Sequence, residues 1–259
     1  MPPTSASGCA AFRALLASRP TARPVRSPMR SSKWSAHGNI YLLVEDERLT
    51  PEQTRELSAQ HETDGVLEVV AAEGPEAEIA VWNPDGSRAE LSGNGTRIAA
   101  RWLADRTGAD EVRIRVGERV TKARISGDLV EQELGPVEVG PVERLEGIEF
   151  VPVSVGNPHA VVEGDPAEIE RVGPLLETHP RFPGRTNVQV ARVEGDGCIA
   201  ARIWERGVGE TSSSGTSAVA VAAALRGEGE TEVSFPGGVV RVRIERGQAF
   251  VTGPAEWLE

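Results

Sequence analysis

The sequence predicts an α/β protein of the α+β kind, made of two lobes related by a pseudo-twofold, and three observations predict it. The block VWNPDGSRAELSGNGTRIAARWL from Val81 is echoed by IWERGVGETSSSGTSAVAVAAAL from Ile203, at a constant offset of 122 positions (82 to 204, 92 to 214). A second echo precedes it, GNIYLLVE at Gly38 and GNPHAVVE at Gly156, with an offset of 118. Each copy also has the same local grammar, strand-like runs leading into a glycine-rich turn and then an apolar helix. Repetition at so long a period excludes a solenoid and points to a duplicated half.

The elements can be justified in order. From Lys33 to Glu45 the pattern reads as a strand, a Gly-Asn turn and a second strand, YLLVE. Thr50-Pro51 opens a short helix through Ala59, with Thr as N-cap and Pro at the first helical position. GVLEVV and AEIAVWN are strands, and the turn NPDG ends the second of them. SGNGTRIAARWLADRTG has Ile98, Ala99, Trp102 and Leu103 at helical spacing, and Gly108 as C-cap. EVRIRV, VTKARISG and LVEQEL are strands. The Pro/Gly/Glu-rich stretch from Gly135 to Gly147 reads as a linker. The second half repeats the plan: FVPVSVGNPHAVVE, a helix before GPLLETHPRFP, NVQVARVE and CIAARIWE as strands, the helix SAVAVAAAL, and two closing strands. The expected division is residues 29–140 for the N-terminal lobe and 147–248 for the C-terminal lobe, with the strand in 249–259 able to pair with either. Residues 1–28, rich in Ser, Arg and Pro, read as a disordered leader or an upstream start, and their composition also fits a targeting segment.

Bulk properties narrow the function. The 259 residues carry a net charge of −11, with 39% hydrophobic and 26% charged residues. An acidic body lacks the Lys/Arg stripes that phosphate backbones require, so nucleic acid is not an expected partner. A small zwitterion answers to local groups and remains compatible. Cys9 and Cys198 are the two cysteines, which implies no disulfide framework. No apolar run is long enough for a membrane span, and the expected location is cytoplasmic. No metal is expected, because no His/Cys/carboxylate set has zinc spacing. Lys33 and Lys122 are the two lysines, and neither stands in a pyridoxal-binding motif, so no cofactor is expected.

Both copies place a short polar residue and glycines just before a buried helix. Unpaired amides and the positive end of the helix dipole make such a start an anion site. Two such sites facing each other suit the inversion of a carbon that bears a hydrogen and a carboxylate. The helix starts hold the carboxylate, and one group on each face removes or returns the proton.

The blocks HGNIYLLVE, WNPDGSRAELSGNGTR, VGNPHAVV, GPLLETHPRFPGRTNV and WERGVGETSSSGTSA resemble, in order and spacing, those of the diaminopimelate epimerase family, from Met29 almost to the C-terminus. The resemblance implies that each lobe wraps a mixed, strongly curved sheet around a central helix, with the site between lobes. It implies cofactor-independent conversion of LL- to meso-diaminopimelate, a step of lysine and peptidoglycan precursor biosynthesis, and a tendency to form homodimers. It further implies substrate contacts at Asn39, Asn83, Asn157, Asn187, Glu205 and Arg206. Helix-start contacts fall at Gly93 and Asn94 in one lobe and at Gly215 and Thr216 in the other, with His159 beside the site.

Two departures stand out. The family carries cysteine, its acid/base pair, where this chain has Ser92 and Ser214. A thiol starts near pKa ~8.5 and is lowered further at a helix N-terminus, whereas an alcohol is a far weaker acid. A hydroxyl therefore works as a base only where a neighbour takes its proton, and His159 and His37 are the histidines in site motifs. HETDG at His61 also departs from the family's glycine-rich turn, next to the contact expected near Gly65. The blander reading makes the two serines N-caps, a role compatible with catalysis. Trp82 and Trp204 read as core anchors, and Arg206 with Glu205 as a clamp for a carboxylate and an ammonium. Two alternatives remain open: a silent homologue that binds diaminopimelate or another amino acid, and an isomerase of the same fold acting on another substrate through a carboxylate base, with Glu90 or Asp85 as the local acids.

Overall fold

A computed structural model describes residues 30–89, 92–195 and 198–259. The expected leader and Glu90 lie outside these residues. The first half runs β1 (Arg30–Ala36), β2 (Asn39–Glu45), α1 (Pro51–His61), β3 (Gly65–Glu73), β4 (Glu76–Trp82), β5 (Arg88–Ala89), α2 (Gly93–Thr107), β6 (Glu111–Val116), β7 (Arg119–Ser126) and β8 (Leu129–Pro136). Two short strands come next, β9 (Glu138–Val139) and β10 (Glu143–Leu145). The second half runs β11 (Ile148–Ser154), β12 (Pro158–Glu163), α3 (Ile169–Glu177), β13 (Asn187–Gly195), β14 (Cys198–Glu205), β15 (Gly209–Thr211), α4 (Gly215–Leu225), β16 (Gly229–Phe235), β17 (Gly238–Glu245), β18 (Gln248–Pro254) and β19 (Glu256–Trp257).

The duplication is visible in the pairing. β2 pairs parallel with β3 as β12 does with β13, and β4 pairs parallel with β6 as β14 does with β16. β3–β4 and β13–β14 are antiparallel and each carries an irregularity, near Val69 and near Val193. The two halves are joined by β8 and β18, which pair antiparallel over their whole length.

Alternation along the strands builds two layers of core in each half. Leu43 and Leu67 point inward onto α2, where Ile98, Ala99, Trp102 and Leu103 are buried with Ile79, Val81 and Ile114. Their neighbours Leu42, Val44 and Val66 point outward, where Leu49, Trp82 and the partly buried Leu57 of α1 cover them. In the second half Val161 faces α4, while Ala160 and Val162 face Ile169, Val172 and Leu176 of α3. α4 is all Ala and Val from Ala218 to Ala224, and the sheet closes tightly around it: residues Gly215 through Ala223 are all buried. Each central helix is thus wrapped by a curved mixed sheet.

Three boundaries differ from the sequence expectation. The expected linker holds β9 and β10, which pair with β11 and so belong to the second half's sheet. The helix expected before GPLLETHPRFP extends through GPLLE, with Pro174 inside it; as the sixth helical residue it removes the amide that would otherwise reach the Glu170 carbonyl. The C-terminal segment serves both halves: β18 lies between β17 and β8, and β19 pairs with β1. Among the described residues no helix is long and apolar enough to cross a membrane.

Candidate active site

Ser92 and Ser214 are the N-caps of α2 and α4, both in extended conformation. Ser92 Oγ accepts from the Gly95 amide at 2.9 Å, a good cap, while Ser214 Oγ accepts from the Ser217 amide at a marginal 3.5 Å. The two helices meet head to head. A Cβ built on Gly93 would stand 3.7 Å from both the N and the Cα of Gly215. Neither helix has an acidic residue in its first turn, unlike α1 and α3 with Glu52 and Glu170. Two positive dipole ends of about half a charge each are therefore brought together without a carboxylate from their own first turns.

A buried cation strengthens this junction. Arg97 of α2 is fully buried. It donates to Asn94 Oδ1 at 2.7 Å, to the Pro254 carbonyl at 3.0 Å and to His37 Nδ1 at 2.8 Å. Burial draws its pKa down to about 10, which leaves it charged at neutral pH. The acceptors around it are neutral. Asn94 in turn donates to Asn39 Oδ1 and, at 3.4 Å, to Ser213 Oγ. Through Asn94 the guanidinium thus ties the first turn of α2 to the start of β2 and to Ser213, the residue before the cap of α4.

The histidines do not serve the serines. His37 sits in the β1–β2 turn with Nε2 on the Val239 carbonyl at 2.7 Å, and burial beside Arg97 lowers its pKa to about 4. His159 is pushed to about 3, first by burial and then by the Arg206 charge, with Gln189 opposing. Its Nε2 lies 2.9 Å from Asn157 Oδ1 and its Nδ1 accepts from Gln189 Nε2 at 3.0 Å. The neutral ring is a prop that aims Asn157. Each ring nitrogen of both histidines is taken, so the neighbour a serine needs must be sought elsewhere.

It is found in residues of two other kinds. Tyr41 Oη lies 2.9 Å from Ser92 Oγ. Its ring crosses Gly65, its register partner on β3, where an added Cβ would fall 2.7 Å from Tyr41 Cε1. The lack of a side chain at Gly65 is thus what admits the tyrosine. Burial pushes the phenol up to about 12, eased by Ser92 and raised further by the Glu205 charge. Glu205 stands beside Ser214: burial raises its carboxyl pKa, while the Ser214 and Thr211 hydroxyls favour the ionised form. Thr211 Oγ1 is buried without a hydrogen-bond partner of its own, so its help is that of a dipole at longer range than a bond.

The other expected contacts have these places. Asn187 is buried, donating to the Pro158 carbonyl at 3.0 Å and accepting from the Arg206 amide at 3.0 Å. Arg206 also donates to the Gly184 carbonyl at 3.2 Å. Asn83 follows β4 directly and donates to Ser87 Oγ at 2.9 Å. Glu177, which the sequence reading missed, organises the Glu205–Arg206 loop: it accepts from Trp204 Nε1 and from the Gly207 amide, each at 2.7 Å. Asp85 is spent on its own turn, accepting from the Ser87 amide at 2.8 Å in an exposed position, and so does not fill the role of a cleft base. Among the described residues no group of three His, Cys, Asp or Glu is placed to hold a metal ion.

The family model described as diaminopimelate epimerase matches residues 151–258. The diaminopimelate epimerase of Synechococcus sp. (strain JA-3-3Ab) is 36% identical over 86% of this chain and 94% of the relative. That of Xanthomonas axonopodis pv. citri is 34% identical over 89% and 94%. The chain belongs to the diaminopimelate epimerase family. Its activity class is therefore that of an epimerase, an isomerase acting at a stereocentre. Solved structures share the fold of this diaminopimelate epimerase homologue well beyond sequence likeness. A phenazine biosynthesis protein of the PhzF family from Enterococcus faecalis superposes with a TM-score of 0.68 at 10% identity, covering 89% of this chain and 97% of that one. A hydroxyproline epimerase from Agrobacterium vitis gives 0.63 at 16% identity over 89% of both chains.

Proposed function

We propose that this chain interconverts LL- and meso-diaminopimelate by moving a proton at the α-carbon, without pyridoxal phosphate or metal. The observation that carries the reading is the head-to-head junction of α2 and α4, capped by Ser92 and Ser214 and backed by buried Arg97. Like partial charges brought this close call for an anion between them, and an α-carboxylate is the anion whose stabilisation acidifies the neighbouring C–H bond. The amides at Gly93, Asn94, Gly215 and Thr216 bind that carboxylate and take up the charge that develops on deprotonation. Asn39, Asn83, Asn157, Asn187, Glu205 and Arg206 hold the remaining ammonium and carboxylate groups. Ser92 and Ser214 transfer the proton, each from its own lobe.

The test is proton exchange at the α-carbon. The unmodified chain, incubated with either isomer in deuterated water, is expected to incorporate deuterium and to approach the same LL/meso mixture from both sides. Binding of diaminopimelate without exchange would overturn the reading in favour of a silent binding homologue. Exchange of a different amino acid, with diaminopimelate inert, would retain the chemistry and replace the substrate.

A further inference from the structure

The two faces of the junction descend from one ancestral half, yet their protic groups differ. In the repeat, Tyr41 corresponds to His159 and Asn83 to Glu205. His159 is turned away onto Asn157 and Gln189, whereas Tyr41 touches Ser92 directly. Ser92 Oγ has two lone pairs and one proton. The Gly95 amide occupies one lone pair. With Tyr41 donating to the other, the oxygen is saturated as an acceptor and its own proton is left to give away. Ser214 has different company: its Oγ lies 3.4 Å from Thr216 Oγ1 and accepts from the Ser217 amide at a marginal 3.5 Å.

We propose that Tyr41 is a positioning residue that makes Ser92 the proton donor of this site; the inference rests on the proposed epimerase reading. Once the α-proton has left toward the opposite lobe, the electron pair stays on the α-carbon, spread into the carboxylate at the helix starts. The Ser92 O–H bond then breaks as the new C–H bond forms, and the Tyr41 phenol passes its proton to the Ser92 oxygen. The negative charge moves from the carbon to the phenolate, and a proton from solvent restores Tyr41.

A thiol at position 92 would need no such partner, and that supplies the test. Tyr41→Phe keeps the ring over Gly65 and removes the hydroxyl. It is expected to lower kcat by about tenfold or more with KM changed less than about twofold, since general acid–base terms act on the chemical step. In a Ser92→Cys background the same substitution is expected to cost less than about threefold. Equal losses in both backgrounds, or a loss confined to KM, overturn the proposal. An independent readout comes from the fact that Tyr41 is the sole tyrosine of the chain. The Cζ resonance of carbon-13 ring-labelled protein therefore belongs to it alone. That signal is expected to move at neutral pH in Ser92→Ala, and an unmoved signal overturns the proposal whatever the kinetics. Failure of the unmodified chain to exchange any α-proton would overturn the epimerase reading, and the Cζ signal would then decide by itself whether Tyr41 donates to Ser92.

Discussion

The serines show how one oxygen can be both a structural cap and a reacting group. Ser92 holds the Gly95 amide at 2.9 Å and Ser214 holds that of Ser217 at 3.5 Å, so the cap is worth about 1 kcal/mol at Ser92 and less at Ser214. Replacing both with cysteine restores a group that ionises near neutrality at a helix start. The double variant is expected to gain at least about tenfold in α-proton exchange while losing about 1 kcal/mol of stability, measured by deuterium incorporation and urea melts. No gain would show that the pocket around Tyr41 and Gly65 no longer serves a thiol. The buried histidines make a second residue-scale prediction. Folding disfavours the protonated form of both, so below about pH 6.5 the unfolded chain binds protons that the folded chain refuses. Stability should fall as pH drops from there toward about 4 for His37 and about 3 for His159, each by up to about 1.4 kcal/mol per pH unit. His159→Gln should flatten that decline in denaturant midpoints between pH 7 and 4.5. An unchanged slope would place the loss elsewhere.

Among the elements, α1 and α3 lie outside the sheets and α2 and α4 lie inside, and packing obeys that division. α1 is fixed locally by a capping box in which Thr50 accepts from the Gln53 amide and Gln53 reaches back to the Thr50 amide. α3 has no side-chain cap bond and relies on tertiary contact instead. Gly173 lies against Trp204, where an added Cβ would come within 2.7 Å of the indole Cγ. Gly173→Ala should therefore cost about 1–3 kcal/mol, despite alanine's higher helix propensity, because overpacking exceeds the roughly 1 kcal/mol that propensity returns. The same shift of Trp204 would disturb its bond to Glu177 and the loop carrying Glu205, so KM should rise along with the loss of stability. Thermal melts and steady-state kinetics check both, and a variant as stable as its parent would refute the packing argument.

At the scale of the molecule, the halves are joined by hydrogen-bonded strands and by one buried charge. β8 contributes Val130 to the first core and Leu134 to the second. Arg97 ties α2 to the β1–β2 turn and to β18. Arg97→Met would leave His37 Nδ1, Asn94 Oδ1 and the Pro254 carbonyl short of a donor. Unsatisfied buried acceptors cost ~1–3 kcal/mol each, so a loss on the order of 3 kcal/mol or more is expected. Unfolding should remain one transition, coincident by circular dichroism and by tryptophan fluorescence, because the tryptophans are distributed over both halves. Two separated transitions would mean that the lobes fold independently and that the strand junction couples them weakly.

Much of this was legible in the chain. The repeat fixed the number of halves, and the Ser-Gly starts marked both central helices, because capping and periodicity are local properties. The echo even set Tyr41 opposite His159, a signal available before any coordinates. What each of those residues touches was not legible. His159 reads in the sequence equally as a prop and as a proton-transfer group, since sequence spacing does not reveal which nitrogen is already bonded. Those assignments depend on contacts between strands and helices far apart in the chain, such as Tyr41 with Ser92 and Arg97 with Pro254. The sequence alone determined the duplicated architecture and the two capped helices. Only the tertiary structure decided that their positive ends abut and that Ser92 faces a phenol, because long-range packing sets desolvation and hydrogen-bond partners, and these set the chemistry of a hydroxyl.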